Sequence, residues 1–172
     1  MRIALTGTPG VGKTSVAKKV SKILGLEHVN VSKRALEIGA AAGEDEGSIL
    51  VDLDILKETL EKMDNIVIDS HFAEVFDSDF IFVLRCEPKI LFERLKRRSY
   101  PEKKVKENVE AEILDYCLIH ALENHPAEKI FEITENPAEE ILSIVENPVK
   151  EKSLAFGSRT QFLTEENLTL VE

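Results

Sequence analysis

Residues 7–14 read Gly-Thr-Pro-Gly-Val-Gly-Lys-Thr, and they directly follow a short apolar segment at residues 2–6. Apolar residues recur at helical spacing after the octapeptide, so it lies where a strand passes into a helix. The pattern G-x-x-x-x-G-K-[ST] in this position is typical of the phosphate-binding P-loop. The alternative is an ordinary turn between a strand and a helix, which does not require this combination of residues.

Each residue type in the octapeptide suits phosphate binding. Gly7, Gly10 and Gly12 permit backbone conformations with positive φ and leave room for a phosphate beside the backbone N–H groups. Lys13 can reach the β and γ phosphates of ATP, and Thr14 can ligate Mg²⁺ through its hydroxyl. The helix that begins here directs the positive end of its dipole at the same anion. The octapeptide therefore predicts a site for ATP and Mg²⁺.

Strand and helix patterns alternate along residues 1–148, which we interpret as one domain. The segments that we predict as strands are residues 2–6, 28–31, 66–69, 80–85 and 129–133. Their alternation with amphipathic helices predicts an α/β fold of the P-loop NTPase class, with helices on both faces of a five-stranded parallel sheet. The pattern weakens after residue 148, and residues 149–172 form a tail whose conformation the sequence does not settle.

The segments between the strands are less uniform. Residues 40–47, rich in alanine, glycine and acidic residues, are predicted as a loop. Pro88 opens a helix that extends to about residue 97, and a long helix follows from Pro101 to about Asn124. Asn136 is predicted to cap a last helix, whose first residue is Pro137.

Polar side chains follow several of the predicted strands. Ligands of parallel sheets bind beyond the carboxyl ends of the strands, where the P-loop, Asp69 and Asn136 would meet. Asp69 is a candidate for holding Mg²⁺ or its waters, although an aspartate at a strand end also commonly forms a turn. His71 could orient water or tune the metal's surroundings, and the alternative is a surface histidine.

The charge is unevenly distributed. The chain carries a net charge of −10, which argues against tight stand-alone binding to nucleic acid. Residues 85–106 carry a local charge of +6, so the remainder carries about −16. The basic segment is a candidate place for phosphates to bind, or else a solvated pair of helices. Glu44, Asp45 and Glu46 could form a partner interface or a solvated loop.

The apolar segments are too short to span a membrane, and the first residues do not read as a signal peptide. We therefore expect a cytoplasmic protein without a membrane association. Two cysteines, Cys86 and Cys117, provide neither a disulfide framework nor a four-ligand zinc site, and buried thiols in a reduced compartment fit them best.

Three segments together resemble a known family. They are the P-loop octapeptide, Asp69-Ser70-His71 after an apolar strand, and residues 98–108, which read Arg-Ser-Tyr-Pro-Glu-Lys-Lys-Val-Lys-Glu-Asn. The combination is similar to the adenylate kinase isoenzyme 6 family, small archaeal and eukaryotic P-loop proteins linked to ribosome assembly. The resemblance covers about residues 1–145, in a consistent order.

This resemblance implies a nucleoside monophosphate kinase-like fold, a monophosphate-binding region at residues 30–50 and a short lid at residues 97–107, where Ser99 stands in place of an expected glycine. It implies a lid contact from Arg98 and an adenine-side contact near Asn136. Within the P-loop it implies ATP contacts from Gly10, Val11, Gly12, Lys13, Thr14 and Ser15. The implied activity is reversible phosphoryl transfer between ATP and AMP, accompanied by ATP hydrolysis. The implied partner is the small-subunit ribosomal protein uS11, during small-subunit maturation and rRNA processing.

Three functional hypotheses follow. As a kinase, the chain would use Lys13, Asp69, His71 and Arg98 as catalytic residues, with AMP or another nucleoside monophosphate as the acceptor. As an assembly factor, it would use the same ATP site as a switch that hydrolysis resets. As a third possibility, it would phosphorylate a different small acceptor.

Overall fold

The computed structural model describes residues 1–45, 48–98, 100–148 and 152–172. Glu46 and Ser99, which the sequence singled out, lie outside these ranges, as do the side chains of Glu44 and Asp45. The strands are β1 Arg2–Thr6, β2 Glu27–Asn30, β3 Ala41–Asp45, β4 Ser48–Val51, β5 Ile66–Asp69, β6 Phe80–Leu84 and β7 Ile130–Ile133. The helices are α1 Lys13–Leu24, α2 Val31–Glu37, α3 Leu53–Glu61, α4 Pro88–Arg97, α5 Glu102–Ile113, α6 Tyr116–Asn124, α7 Pro137–Glu146 and α8 Glu165–Leu168.

Five strands form a parallel sheet in the order β2-β5-β1-β6-β7, which confirms the predicted architecture. Each of the five predicted strands is present with its ends shifted by at most one residue. β1 lies at the centre, between β5 and β6, so the loop that follows β1 emerges from the middle of the sheet's carboxyl edge. The P-loop is therefore flanked by the segments that follow β5 and β6.

Alternate residues of the central strands enter two separate cores, one on each face of the sheet. Ile3 and Leu5 of β1 pack in the first core with residues of α1, α4, α5 and α7. Ala4 packs in the second core with residues of α2, α3 and α6. Because both faces are covered, the strands are buried along almost their whole length, which explains why they read as continuous apolar segments.

Two predicted segments are wrong. Residues 40–47 were expected to be a loop, but residues 41–45 form β3, which pairs antiparallel with β4 around a bulge near Gly43. The predicted long helix to Asn124 is two helices, because Asp115 has a left-handed backbone with φ 56°. Aspartate tolerates this conformation better than most residues, and its carboxylate is held by a hydrogen bond from Arg85, which is distant in sequence.

The C-terminal residues 152–172 pack back onto the domain. A short 3₁₀ turn at Leu154–Phe156 lies near β7, and Leu154 joins the second core. α8 contacts α5, and Leu170 and Val171 pack against the first core. No helix within the described residues is long and apolar enough to cross a membrane.

Candidate active site

The loop between β1 and α1 requires glycine at two crowded positions. Gly7 has a φ of 134°, and a Cβ atom there would lie 2.4 Å from the carbonyl oxygen of Leu84. Gly10 has a φ of 103°, and a Cβ atom there would lie 2.8 Å from side-chain carbons of Leu91 and Leu95. Other residues rarely adopt such φ angles, and their Cβ atoms do not approach neighbours so closely. Glycine therefore allows the loop to pack tightly against β6 and α4.

Lys13 lies inside the curve of this loop. Its Nζ donates hydrogen bonds to the carbonyl oxygens of Gly7 and Thr8, at 2.6 and 3.0 Å, and the side chain is buried. Burial lowers the pKa of Lys13, while the negative charges of Asp69 and Glu112 act in the opposite direction. The ammonium group is thus held at the centre of the loop, where the backbone surrounds it.

The first turn of α1 is open to an anion. Its N-cap is Gly12, which has no side chain to accept the N–H groups of that turn, and no acidic residue lies there. Lys13, Thr14 and Ser15 line a cleft of about 200 Å³ that we call the phosphate cleft. Arg98, at the C-terminal end of α4, lines the same cleft. The structure therefore places Arg98 beside P-loop residues that precede it in the sequence by more than eighty positions.

Asp69 ends β5, directly beside the end of β1, and is almost completely buried. Its Oδ2 accepts a hydrogen bond from Nδ2 of Asn30 at 3.1 Å and lies 3.1 Å from Nε2 of His28. Asn30 is also fixed by its role as the N-cap of α2, where its Oδ1 accepts the N–H group of Lys33. The carboxylate is thus oriented from one side by two residues of β2.

His28 and Asn30 were not predicted to contact Asp69. They are two residues apart on one strand and therefore share a face, which is the only local signal of a common role. Their contact with Asp69 depends on the pairing of β2 with β5, whose residues are about forty positions apart. That pairing is not readable from the sequence of either strand.

Two larger clefts adjoin the P-loop, and we name each after a neighbouring element. The β7 cleft has a volume of about 470 Å³, and its lining includes Val11, Ile90, Arg94, Ile133 and Pro137. The hairpin cleft has a volume of about 440 Å³, and its lining includes Thr8, Ser32, Ile49, Tyr100, Lys104 and Asn108. Both volumes fall in the range of small-molecule sites. Val11 of the P-loop lines the β7 cleft and Thr8 lines the hairpin cleft, so the one loop borders both clefts.

The structure places His71 in the hairpin cleft, together with Tyr100 and Lys104. The residue keeps an exposed surface, but protein surrounds much of the ring, which packs edge-on against Phe72 with 4.8 Å between ring centroids. Burial, followed by the positive charges of Lys13 and Lys104, lowers the pKa of His71 to about 4. The imidazole is consequently neutral at pH 7.

Asn136 lies beside the β7 cleft. It precedes α7 with a left-handed backbone, φ 42°, and its neighbours Glu135 and Pro137 line the cleft. Arg94, which the sequence analysis did not single out, lines the cleft as well and donates a hydrogen bond to the carbonyl oxygen of Val11 at 3.3 Å. The sequence does contain a signal for Arg94. It precedes Arg98 by four residues, and this helical spacing places both side chains on the same side at the end of α4.

A buried ionic cluster lies behind the P-loop. Arg85 donates from Nε to Glu112 at 2.9 Å and from Nη1 to Glu132 at 2.7 Å, and Asp115 accepts from Nη2. Burial lowers the pKa of Arg85, but the charges of Glu112 and Asp115 outweigh burial and raise it. Glu112 also accepts a hydrogen bond from the hydroxyl of Thr8, so the cluster is connected to the P-loop. Its members come from β7, the segment after β6, and the ends of α5 and α6, and sequence patterns did not reveal them.

These features define a P-loop kinase fold, and comparison with solved structures agrees. The deoxyadenosine kinase from M. mycoides with bound dATP superposes with a TM-score of 0.58 at 14% identity, covering 86% of this chain and 100% of that chain. At this identity the likeness shows the fold alone.

Sequence comparison is more specific. The profile of the AAA domain family AAA_18 matches residues 3–115. A protein of Pyrococcus furiosus named "Putative adenylate kinase" is 46% identical over 137 residues, which cover 77% of this chain and 74% of the relative. A protein of Natronomonas pharaonis with the same name is 44% identical over 135 residues, which cover 77% of this chain and 79% of the relative. The chain belongs to the AAA_18 family of AAA domains and to the group of adenylate kinase-like proteins that these relatives represent.

Proposed function

We propose that this protein is a nucleoside monophosphate kinase of the adenylate kinase type, which transfers the γ-phosphoryl group of ATP to AMP. The observation that carries the proposal is that two clefts of similar volume, about 470 and 440 Å³, adjoin one P-loop. A simple ATPase needs a site for one nucleotide, whereas a kinase of this type needs a donor site and an acceptor site. The names of the two relatives support the same activity.

The lining of each cleft supports an assignment of the two substrates. The β7 cleft combines apolar walls from Ile90, Ile133 and Pro137 with the guanidinium of Arg94, which suits a nucleotide base. The hairpin cleft combines Ser32, Tyr100, Lys104 and Asn108, whose donors suit a phosphate-bearing acceptor. We therefore assign the base of ATP to the β7 cleft and AMP to the hairpin cleft. Residues 30–50 would then act as the monophosphate-binding region.

Catalysis would rest on charge and position. Lys13, Arg98 and the N-terminus of α1 would stabilise the negative charge that spreads over the transferring phosphoryl group. Residues 97–107, which include Arg98 and the beginning of α5, would act as a short lid that excludes water. Without an acceptor, water in the hairpin cleft would receive the phosphoryl group, and the protein would then act as an ATPase.

The side chains present fit a magnesium ion. Mg²⁺ in such sites is held by one or two protein oxygen ligands together with waters and substrate phosphates. Thr14 offers a hydroxyl at the start of α1, and Asp69 offers a buried carboxylate at the end of the neighbouring strand. His28 and Asn30 orient that carboxylate through Oδ2. The bound ion would neutralise phosphate charge during transfer.

Acceptor dependence tests the proposal. Purified protein with Mg-ATP is incubated with AMP, CMP, UMP, GMP, shikimate or no acceptor, and the nucleotide products are separated and quantified. We expect AMP to give two ADP per ATP consumed, with little free phosphate. Equal ADP and phosphate production in every reaction would instead identify an ATPase without kinase activity.

His71 allows the two reactions to be separated. Its neutral imidazole lies in the hairpin cleft, where it can hydrogen-bond the attacking group. AMP would be held there by several further contacts, whereas a water molecule would depend more strongly on each one. We therefore expect His71→Gly to change ATP hydrolysis severalfold and AMP phosphorylation less, measured under single-turnover conditions. Equal changes in both reactions would contradict this role and point to a general effect on the site.

The charge distribution supports a second proposal, that the chain binds a protein partner as well as nucleotides. About −16 of charge lies outside the basic segment 85–106. Such a surface attracts a basic protein and repels free RNA. We propose the small-subunit ribosomal protein uS11 as this partner, with a role in small-subunit maturation and rRNA processing. Binding should be detected by pull-down of purified uS11 at physiological salt; tight binding to bare rRNA without binding to uS11 would contradict the proposal.

A further inference from the structure

The C-terminal segment reaches the β7 cleft and is anchored there by one buried carboxylate. Oε2 of Glu132 accepts hydrogen bonds from the hydroxyl of Ser158 at 3.1 Å and from the backbone N–H groups of Arg159 and Thr160 at 2.6 and 3.2 Å. The guanidinium of Arg159 also pairs with Glu140 of α7 at 2.9 Å. Three donors on one oxygen hold this part of the chain in a defined path.

The anchor is part of the buried ionic cluster. Glu132 is 1% exposed, and its other oxygen accepts from Arg85 at 2.7 Å. A buried carboxylate is costly unless all of its oxygens are hydrogen-bonded, and the segment from Ser158 to Thr160 supplies three of these bonds. The docked segment therefore supplies the hydrogen bonds that the buried carboxylate of Glu132 requires.

The anchored segment places Thr160 and Phe162 in the wall of the β7 cleft. The ring of Phe162 lies under the guanidinium of Arg85, with 5.0 Å from Cζ to the ring centroid. The backbone carbonyl oxygen of Phe162 accepts a hydrogen bond from Nδ2 of Asn167 at 2.8 Å. The ring of Phe162 thus packs against the ionic cluster, and its backbone is held by Asn167 of α8.

We propose that Phe162 is a base-contacting residue of the donor site and that residues 158–162 complete this site. A fixed aromatic ring in the wall of a cleft is suited to stack with a planar base, which no residue of the P-loop can do. The proposal rests on the assignment of ATP to the β7 cleft. Residues 158–162 lie outside the segment that the AAA_18 profile matches, so the family match assigns them no role.

Equilibrium binding tests this role with two probes. Mg-ATP carries base and phosphates, whereas inorganic tripolyphosphate carries only the phosphates. We expect Phe162→Leu, which keeps an apolar side chain of similar size, to weaken Mg-ATP binding about tenfold, or about 1.4 kcal/mol, and to leave tripolyphosphate binding unchanged. Phe162→Tyr keeps the aromatic face and should bind Mg-ATP within about twofold of the wild type. Leu163→Ala changes the next side chain, which is 53% exposed, and serves as the matched control.

Each other outcome has a distinct meaning. Wild-type affinity for Mg-ATP in Phe162→Leu, or tighter binding, would overturn the proposal. Equal weakening of both probes would also overturn it, because the effect would then reach the phosphate cleft. If the unaltered protein binds neither Mg-ATP nor tripolyphosphate, the proposed function itself fails, independently of Phe162.

Discussion

Lys13→Ala is expected to lower both phosphoryl transfer and ATP hydrolysis by about a thousandfold or more, while the fold is retained. The ammonium of Lys13 lies inside the P-loop, bonded to two carbonyl oxygens of the loop, and no other cation is as deeply placed among the residues lining the phosphate cleft. Its loss would remove about 4 kcal/mol of transition-state stabilisation. Single-turnover rates with Mg-ATP, with and without AMP, measure the effect.

Two further variants make this result interpretable. Lys22→Ala removes the same charge from the exposed last turn of α1 and should retain normal rates. Lys13→Met keeps most of the aliphatic chain and should be as inactive as Lys13→Ala, with an unfolding temperature close to that of the wild type. A folded Lys13 variant with near-normal turnover would exclude the P-loop as the site of chemistry.

Asp69→Asn is expected to lower both reactions together, by about a hundredfold, which corresponds to about 3 kcal/mol. The substitution keeps the shape of a buried side chain that contacts Asn30 and His28, but it removes the negative charge proposed to help position Mg²⁺. The Mg²⁺ concentration at half-maximal rate should rise in parallel. Rates and magnesium titrations of the purified variant provide the measurement.

Asp64→Asn is the matched control, because Asp64 is exposed at the opposite end of β5. It removes an equal charge from the turn that precedes the same strand and should leave the magnesium dependence unchanged. If Asp69→Asn loses activity without any change in the magnesium titration, Asp69 contributes to the site by some means other than the metal.

Much of the fold could be predicted because burial on both faces of a parallel sheet leaves a local mark. β5 is buried at all four positions, and its sequence is apolar up to Asp69. The hairpin of β3 and β4 could not be predicted in this way. β3 contains alanine, glycine and acidic residues of low strand propensity, and it depends on its pairing with β4. The break at Asp115 depends on Arg85, thirty residues away, and no glycine or proline announces it.

The candidate site divides in the same way. Gly7, Lys13 and Thr14 could be predicted because the P-loop is contiguous and its chemistry follows from neighbouring residues. The contacts of Asp69 with β2, and the path of residues 158–162 to Glu132, depend on contacts between distant segments. Residues 158–160 are held by hydrogen bonds to one carboxylate, and contacts of this kind leave no hydrophobic period in the sequence.

The fate of the γ-phosphoryl group tests the central claim most directly. Protein is mixed with Mg-ATP labelled with ³²P at the γ position and AMP labelled with ¹⁴C in the base, and the products are separated after a single turnover. We expect ADP that carries both labels, with little labelled inorganic phosphate. Label that appears only as inorganic phosphate, while the labelled AMP is recovered unchanged, would contradict the assignment of a kinase with a donor and an acceptor cleft.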